Sequence, residues 1–279
     1  MSGLSPEQIG FYKDQGYLLV EDVLPVQDLR PLVEEFEQVI DRKAREAYAE
    51  GRLNALYADE PFNRRLAKLS ASLETDEIWR LVEGKGHKTA GMFSMVTHPV
   101  ILDIVESVIG PEILAHPQFN SRARLPDRDG KGVPWHQDLA LLNPDAEGTF
   151  IVNIWTPLVD ATIENGCLVV IAGSHKKGLR KLIDGSIPDQ ALPEGERVRC
   201  PLRVGSMLLF QHKTIHRSLP NRSDQVRWSL DLRYCDHRLP TGREHVPGFI
   251  ARSRACPHQV AKSHVDWLKL MEASQRSSL

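Results

Sequence analysis

The sequence predicts a mainly β protein flanked by helices, a β-sandwich or jelly roll behind a helical preface. Three observations predict it. Apolar residues recur at helical spacing through the first third, short β-rich runs separated by turn residues begin near residue 113, and no long helical patterns alternate with those runs. The last point argues against a doubly wound parallel sheet. At 279 residues the chain has the length of one large domain, divided into a helical part over 1–112, a β core over 113–260 and a closing helix and tail over 261–279.

Local signals justify each element in turn. Ser5-Pro6-Glu7-Gln8 supplies an N-cap, a proline at the first helical position and a Gln at the third, which together make a capping box. Gly16 ends that helix, and Tyr17-Leu18-Leu19-Val20 reads as a short apolar strand. Leu29, Leu32, Val33, Phe36, Val39 and Ile40 then share one helical face, with Glu34, Glu35, Glu37, Asp41 and Arg42 on a solvated face opposite. Further helical pieces are predicted over 61–73, 75–83 and 98–109. Strands are predicted over 133–142, 149–158, 167–171, 206–211 and 226–234. Between them, Asp127-Arg128-Asp129-Gly130, Glu164-Asn165-Gly166 and Pro220-Asn221-Arg222-Ser223-Asp224 carry loop chemistry. An amphipathic segment over 264–271 closes the chain.

Composition removes several function classes. Thirty-five Lys+Arg stand against 37 Asp+Glu, so the basic excess of a nucleic-acid binder is missing. No stretch reaches the roughly 18 consecutive apolar residues of a membrane span, and the first residues lack the basic and apolar regions of a signal peptide. Cys167, Cys200, Cys235 and Cys256 are scattered without a C-x-x-C pair, the usage of reduced, buried thiols, so a cytoplasmic location is expected. The final Ser-Ser-Leu lacks the basic middle residue of a peroxisomal Ser-Lys-Leu and reads as a frayed tail.

The chemistry is sought among eleven histidines. His-x-Asp occurs at His136-Gln137-Asp138 and at His264-Val265-Asp266; with eighteen Asp in the chain, one such tripeptide is an ordinary coincidence. Local geometry separates the two. In a strand, residues i and i+2 point to one side, so His136 and Asp138 can grip one ion, whereas in a helix they diverge by about 200°. Val265, Trp267, Leu268, Leu270 and Met271 make the surroundings of His264 helical, and His264 reads as a decoy.

A third ligand must come from a distant strand. His212 and His216 are both candidates; a zinc site on a helix would suit their spacing of four, but the glutamate of His-Glu-x-x-His is absent. His216 gains from Ser218 two residues on and Arg227 eleven residues on. Along Arg227-Trp228-Ser229-Leu230-Asp231-Leu232-Arg233-Tyr234, polar and apolar residues alternate, so one face packs in a core. The other face is either a solvated Arg/Asp network or a cavity wall on which Arg227 forks a carboxylate, and spacing alone leaves both open. Two imidazoles and a carboxylate on one side of a metal form a facial triad suited to Fe(II).

This constellation resembles the phytanoyl-CoA dioxygenase family of iron- and 2-oxoglutarate-dependent oxygenases. Four stretches carry the likeness: Trp135-His136-Gln137-Asp138, the run from Asp160 through Glu164-Asn165-Gly166 to Leu168, Ile171-Ala172-Gly173-Ser174-His175, and His216-x-Ser218 with Arg227. The resemblance spans about residues 5 to 255. It implies a single oxygenase domain, a cupin-like double-stranded β-helix with N-terminal helices packed outside. It further implies that His136, Asp138 and His216 ligate Fe(II), that Arg227 pairs with the distal carboxylate of the co-substrate 2-oxoglutarate, that Ser218 hydrogen-bonds it and that Trp155 lines the same pocket. His175 and the Glu164-Asn165-Gly166 turn then fix loops. Ala172 stands where many members have proline. Arg122-Ala123-Arg124-Leu125-Pro126 replaces the common Lys-Pro-Pro run, which leaves open whether Arg122 or Arg124 reaches the site. Asp138 occupies the position that radical halogenases of the superfamily vacate, which favours hydroxylation.

The activity so implied is hydroxylation of a small molecule by O2 with release of succinate and CO2. Arg122, Arg124, Arg203 and Arg233 could line a mouth for an anionic substrate. The rival readings are a cupin-like metalloenzyme without 2-oxoglutarate (an isomerase or direct dioxygenase) and a jelly-roll binding module with an empty metal site.

Overall fold

A computed structural model describes residues 3–126, 132–243 and 245–277. The turn expected over 127–130 and the last two residues of the tail lie outside them. Helix α1 (Pro6–Gln15) starts where expected: Ser5 Oγ accepts from the Gln8 N–H at 3.2 Å, and the Gln8 side chain accepts from the Ser5 N–H at 2.9 Å. Gly16 has φ +78° and leads into β1 (Tyr17–Val20); a Cβ there would lie 2.2 Å from His175 Nδ1. Glycine is therefore required both by the backbone and by the close approach of the His175 loop.

Helix α2 (Val26–Ala49) buries Leu29, Leu32, Phe36, Ile40, Ala44 and Ala47, the stripe read from its spacing extended by one turn and more. Its outer side carries the exposed pairs Arg30–Glu34 and Arg45–Asp41. α3 (Phe62–Leu73) matches its expectation, while α4 shrinks to Trp79–Val82. The sequence reading missed α5 (Ala90–Val96), which Thr89 caps by accepting from the Met92 N–H. α6 (Pro99–Ile109) follows with proline at its first position. By length and mean hydropathy, 90–109 could cross a membrane. It is instead broken at Thr97-His98 into two short helices, each of which buries residues in the core.

The strands are β2 (Ile113–Ala115), β3 (Asn120–Arg124), β4 (Val152–Pro157), β5 (Leu168–Ile171), β6 (Arg197–Cys200), β7 (Met207–Gln211), β8 (His216–Ser218), β9 (Arg227–Asp236) and β10 (Phe249–Arg252). Helix α7 (His264–Ser277) closes the described chain and carries His264, so its His-x-Asp cannot converge. The larger sheet runs β1-β7-β4-β9-β2-β10, with β3 also paired to β9; the smaller runs β6-β5-β8, and every pairing is antiparallel. Together they form a jelly roll with the helices outside.

Strand alternation sorts side chains into layers. Trp228, Leu230, Leu232 and Tyr234 of β9, Val152 and Ile154 of β4, and Met207 and Leu209 of β7 join the helices in the main core. Phe36 and Phe62 stack on Trp228 at 5.4 and 4.5 Å between ring centroids, which ties α2 and α3 to the sheet. Trp155, Leu208 and Phe210 point the other way and meet Leu168 and Val170 of β5 between the sheets.

One strand expectation is corrected. Residues 133–142 do not form a strand. His136 alone bridges His216, through two hydrogen bonds of 3.0 Å, and a 3-10 helix begins at Asp138 (Asp138–Leu141). Pro134 has no N–H to extend a ladder, and Gln137 turns its side chain onto the carbonyls of Gly178 and Lys213 instead.

Candidate metal centre

Three side chains converge at the mouth of the barrel. Candidate ligand atoms of His136, Asp138 and His216 all lie within 4.8 Å of one another. His136 Nε2 is 3.6 Å from Asp138 Oδ1, and the two imidazole centroids are 4.2 Å apart. The short bridge to β8 brings His136 beside His216, and the turn after Gln137 swings Asp138 between them.

Hydrogen bonds orient each group. His136 Nδ1 lies 2.9 Å from the Pro134 carbonyl, and His216 Nδ1 lies 3.1 Å from that of Thr214. A carbonyl can only accept, so both rings carry the proton on Nδ1 and present a bare Nε2. Burial, with His136 beside it, lowers the His216 pKa to about 4, which leaves it neutral at physiological pH. Asp138 is 2% exposed. Its Oδ2 accepts from Asn153 Nδ2 at 2.7 Å and from Arg233 Nε and Nη2 at 3.1 and 2.7 Å, while Oδ1 turns toward the histidines. Burial alone would raise the Asp138 pKa; the Arg233 guanidinium beside it holds it well below the ordinary carboxylate range. Two imidazole nitrogens and one ionised carboxylate oxygen are a donor set that fits a divalent iron with open positions.

The same cavity, about 110 Å³ as bounded by the described residues, holds Arg227. Arg227 is 2% exposed, its Nη1 donates to Ser229 Oγ at 2.5 Å, and its guanidinium lies 5.3 Å from the centroid of the Trp155 ring. Trp155 Nε1 donates to the same Ser229 oxygen at 3.0 Å. Arg227 Nε has no partner among the described residues. Burial lowers the Arg227 pKa to about 10, so it remains a cation near neutrality. A buried cation with an idle N–H is a socket for an anion. Ser218 Oγ accepts from the Val133 N–H at 2.9 Å, which leaves its own O–H to donate into the cavity. The alternative of a solvated face for Arg227, Ser229, Asp231 and Arg233 is thereby decided: Arg227, Asp231 and Arg233 line the cavity, and Ser229 is buried beneath Arg227 and Trp155 as their acceptor.

Other candidates stand elsewhere. His212 Nδ1 bonds the backbone of Ile151, and burial lowers its pKa to about 4; it is outside the ligand cluster. His175 Nε2 bonds the Lys13 carbonyl, as a loop-fixing residue would. Of the four arginines considered for an anionic mouth, Arg203 pairs with Asp22 at the surface and does not line the cavity. Arg233 is taken by Asp138, and Arg122 pairs with Glu83 and Asp231 at 2.9 and 3.0 Å. Arg124 also lines the cavity wall. Reasoning from sequence missed Asn153, Glu83 and the service of Arg233 to Asp138. The signal for Asn153 was present, since it shares a strand face with Trp155.

The family model for phytanoyl-CoA dioxygenase (PhyH) matches residues 12–229. The chain belongs to the phytanoyl-CoA dioxygenase family. Among curated relatives, peroxisomal phytanoyl-CoA dioxygenase of Rattus norvegicus is 26% identical over 249 residues, covering 83% of this chain and 68% of that protein. Among solved structures, the non-heme monooxygenase ThoJ in its apo form matches with a TM-score of 0.63 at 20% identity, over 97% of this chain and 94% of that one. The epimerase SnoN, in complex with Fe3+, alpha-ketoglutarate and nogalamycin RO, matches at 0.57 and 21%, over 85% and 86%. At these identities the two structures show a shared fold. The match to the phytanoyl-CoA dioxygenase model takes in His136, Asp138, His216, Ser218 and Arg227 and ends two residues after the last, so Arg233 lies beyond it.

Proposed function

We propose that the protein is a non-haem Fe(II)- and 2-oxoglutarate-dependent dioxygenase that hydroxylates an unactivated C–H bond of a small molecule, releasing succinate and CO2. The observation that carries this reading is the convergence of two bare Nε2 atoms and one carboxylate oxygen in the cavity that also holds the buried Arg227. The chemistry supplied by iron with this keto acid is oxidative decarboxylation coupled to transfer of an oxygen atom from O2 to a C–H bond.

The chain's own residues divide the remaining work. His136, Asp138 and His216 would hold the metal through two imidazole nitrogens and one carboxylate oxygen, with room for further ligands. Arg227 takes the distal carboxylate, with Trp155 beneath its guanidinium and Ser218 O–H as a further donor. Such a charge-assisted contact is worth about 1.5–3 kcal/mol. Val133, Leu168 and Phe210 exclude water on the apolar side. Arg124 on the wall supports an anionic substrate. Three buried cysteines without disulfides support a reducing, cytoplasmic setting.

The test is an anaerobic titration of metal-free protein with Fe(II) and then 2-oxoglutarate, watching for the weak visible charge-transfer band of a chelated keto acid. The band is expected in the wild type and lost in Arg227→Ala at matched concentrations. Fe(II) binding without any band would overturn the 2-oxoglutarate reading in favour of a cupin-like metalloenzyme in which Arg227 is structural.

A further inference from the structure

Besides Arg227 Nε, Gln118 carries a buried polar atom on the cavity lining that has no partner among the described residues. Its N–H donates to His116 Nδ1 at 3.1 Å and its carbonyl accepts from Arg233 Nη1 at 3.0 Å, so both backbone groups are engaged. The side chain is different. Gln118 is only 5% exposed, yet its Oε1 is sealed from solvent and has no hydrogen-bond partner among the described residues. Gln118 lies two residues ahead of β3 and lines the cavity together with Asn120, Arg122 and Arg124 of that strand.

The neighbouring polar groups have partners within the protein. Arg122 is held by Glu83 and Asp231, Arg233 by Asp138, and Asn120 Nδ2 approaches Asp231 at 3.5 Å. A buried amide oxygen without a donor is unfavourable. Leucine would fill nearly the same volume without that cost. The string from the Gln118 backbone carbonyl through Arg233 to Asp138 also ties the backbone of this residue to a metal ligand.

The cavity's lining points the same way. Four polar or charged residues, Gln118, Asn120, Arg122 and Arg124, make one wall. A run of methylenes along that wall would leave the Gln118 amide unpaired.

We propose that Gln118 is a specificity-determining residue that binds a hydroxyl, amine or amide of a small polar substrate next to the carbon that is oxidised, and that the site takes such molecules in preference to a fatty-acyl chain. The inference rests on the oxygenase reading of the metal centre and names the substrate class of that site.

Two measurements test it. The first compares melting of metal-free wild type and Gln118→Leu, and needs neither iron nor keto acid. If Gln118 is kept for a ligand, the variant melts at or above the wild-type temperature, by up to about 2–4 °C. A lower melting temperature makes Gln118 a structural residue and overturns the proposal. The second loads wild type with Fe(II) and 2-oxoglutarate and follows succinate release with two probe sets: small hydroxy and amino acids with monosaccharides, against decanoic acid and decanoyl-CoA. A polar probe is expected to accelerate succinate release, and Gln118→Leu to lower kcat/KM for it at least about 10-fold. Acceleration by a decanoyl probe, or a variant within twofold of wild type, overturns the proposal. If neither set accelerates the reaction, the melting comparison decides. Absence of any keto-acid consumption instead removes the oxygenase reading, and the melting comparison alone then decides whether Gln118 is structural.

Discussion

Arg233 grips one oxygen of Asp138 with two nitrogens, Nε at 3.1 Å and Nη2 at 2.7 Å, and leaves the other oxygen facing His136 and His216. Both residues are almost wholly buried. The carboxylate would therefore offer a metal its other oxygen, Oδ1, from a fixed orientation, and Asn153 adds a third donor to Oδ2. Outer groups of this kind decide how a ligand points as much as the ligand's own rotamer does.

Removing that grip weakens the metal site. Arg233→Met keeps the length of the side chain but gives up both contacts to Asp138. Affinity for Fe(II) or Co(II), measured by equilibrium dialysis of the metal-free protein, is expected to fall about 10- to 100-fold. An unchanged or tighter affinity would show that Arg233 does not orient the ligand.

Loss of the carboxylate itself goes further. Asp138→Ala leaves two imidazoles and is expected to abolish substrate-coupled 2-oxoglutarate consumption. Retention of full, coupled consumption by the variant would refute Asp138 as a ligand.

Arg227 is expected to govern the keto acid and to leave the metal alone. Arg227→Ala should raise the KM for 2-oxoglutarate by about 10- to 100-fold, the size of a lost charge-assisted contact, with metal affinity changed less than about threefold. Steady-state kinetics paired with the dialysis measurement check both halves.

Acid sensitivity follows from two histidines that are not in the ligand cluster. Burial lowers the pKa of His116 and of His212 to about 4 each, whereas an unfolded chain protonates histidine near 6.5. Between those values the unfolded state binds more protons. The stability these groups contribute is complete above about pH 6.5 and is lost progressively as pH falls toward 4. The melting temperature of the metal-free protein should decline across that window, and His116→Gln should flatten part of the decline. A melting temperature constant from pH 7 to 4.5 would contradict the assignment.

The helical layer has its own test. Trp228 is fully buried between Phe36 and Phe62, and Trp228→Ala should cost about 3–5 kcal/mol of unfolding free energy in denaturant titration. A loss below about 1 kcal/mol would mean that the helices do not depend on this contact.

What the sequence made legible was local. The capping box at Ser5, the apolar stripe of α2 and the alternation of β9 each depend on residues within a few positions, and each holds in the fold. The ligand set was legible for a related reason: two of its members are two residues apart, and the third opens a strand that Ser218 and Arg227 mark. Pairings across the fold were not legible. Nothing near Arg233 in sequence announces Asp138, 95 positions earlier, and nothing near Arg122 announces Glu83. Those partners are set by how β9, β3 and the Gly84–Ser121 bridge are laid side by side. The failed strand over 133–142 has the same origin, because its composition is β-like but only one residue finds a partner.

Strand β9 also acts as a ruler. Arg227 and Arg233 are six residues apart on one extended segment, a span of about 20 Å between backbones. β4 flanks that segment on one side, and β3 and β2 flank it on the other. Neither end can slide without exchanging every inward side chain for an outward one. The separation between the carboxylate anchor and the brace on the metal ligand is thus set by the chain itself and cannot adapt to its cargo. On the proposed reading of Arg227, a dicarboxylate is held from an anchor whose backbone distance to the brace on Asp138 is a fixed gauge.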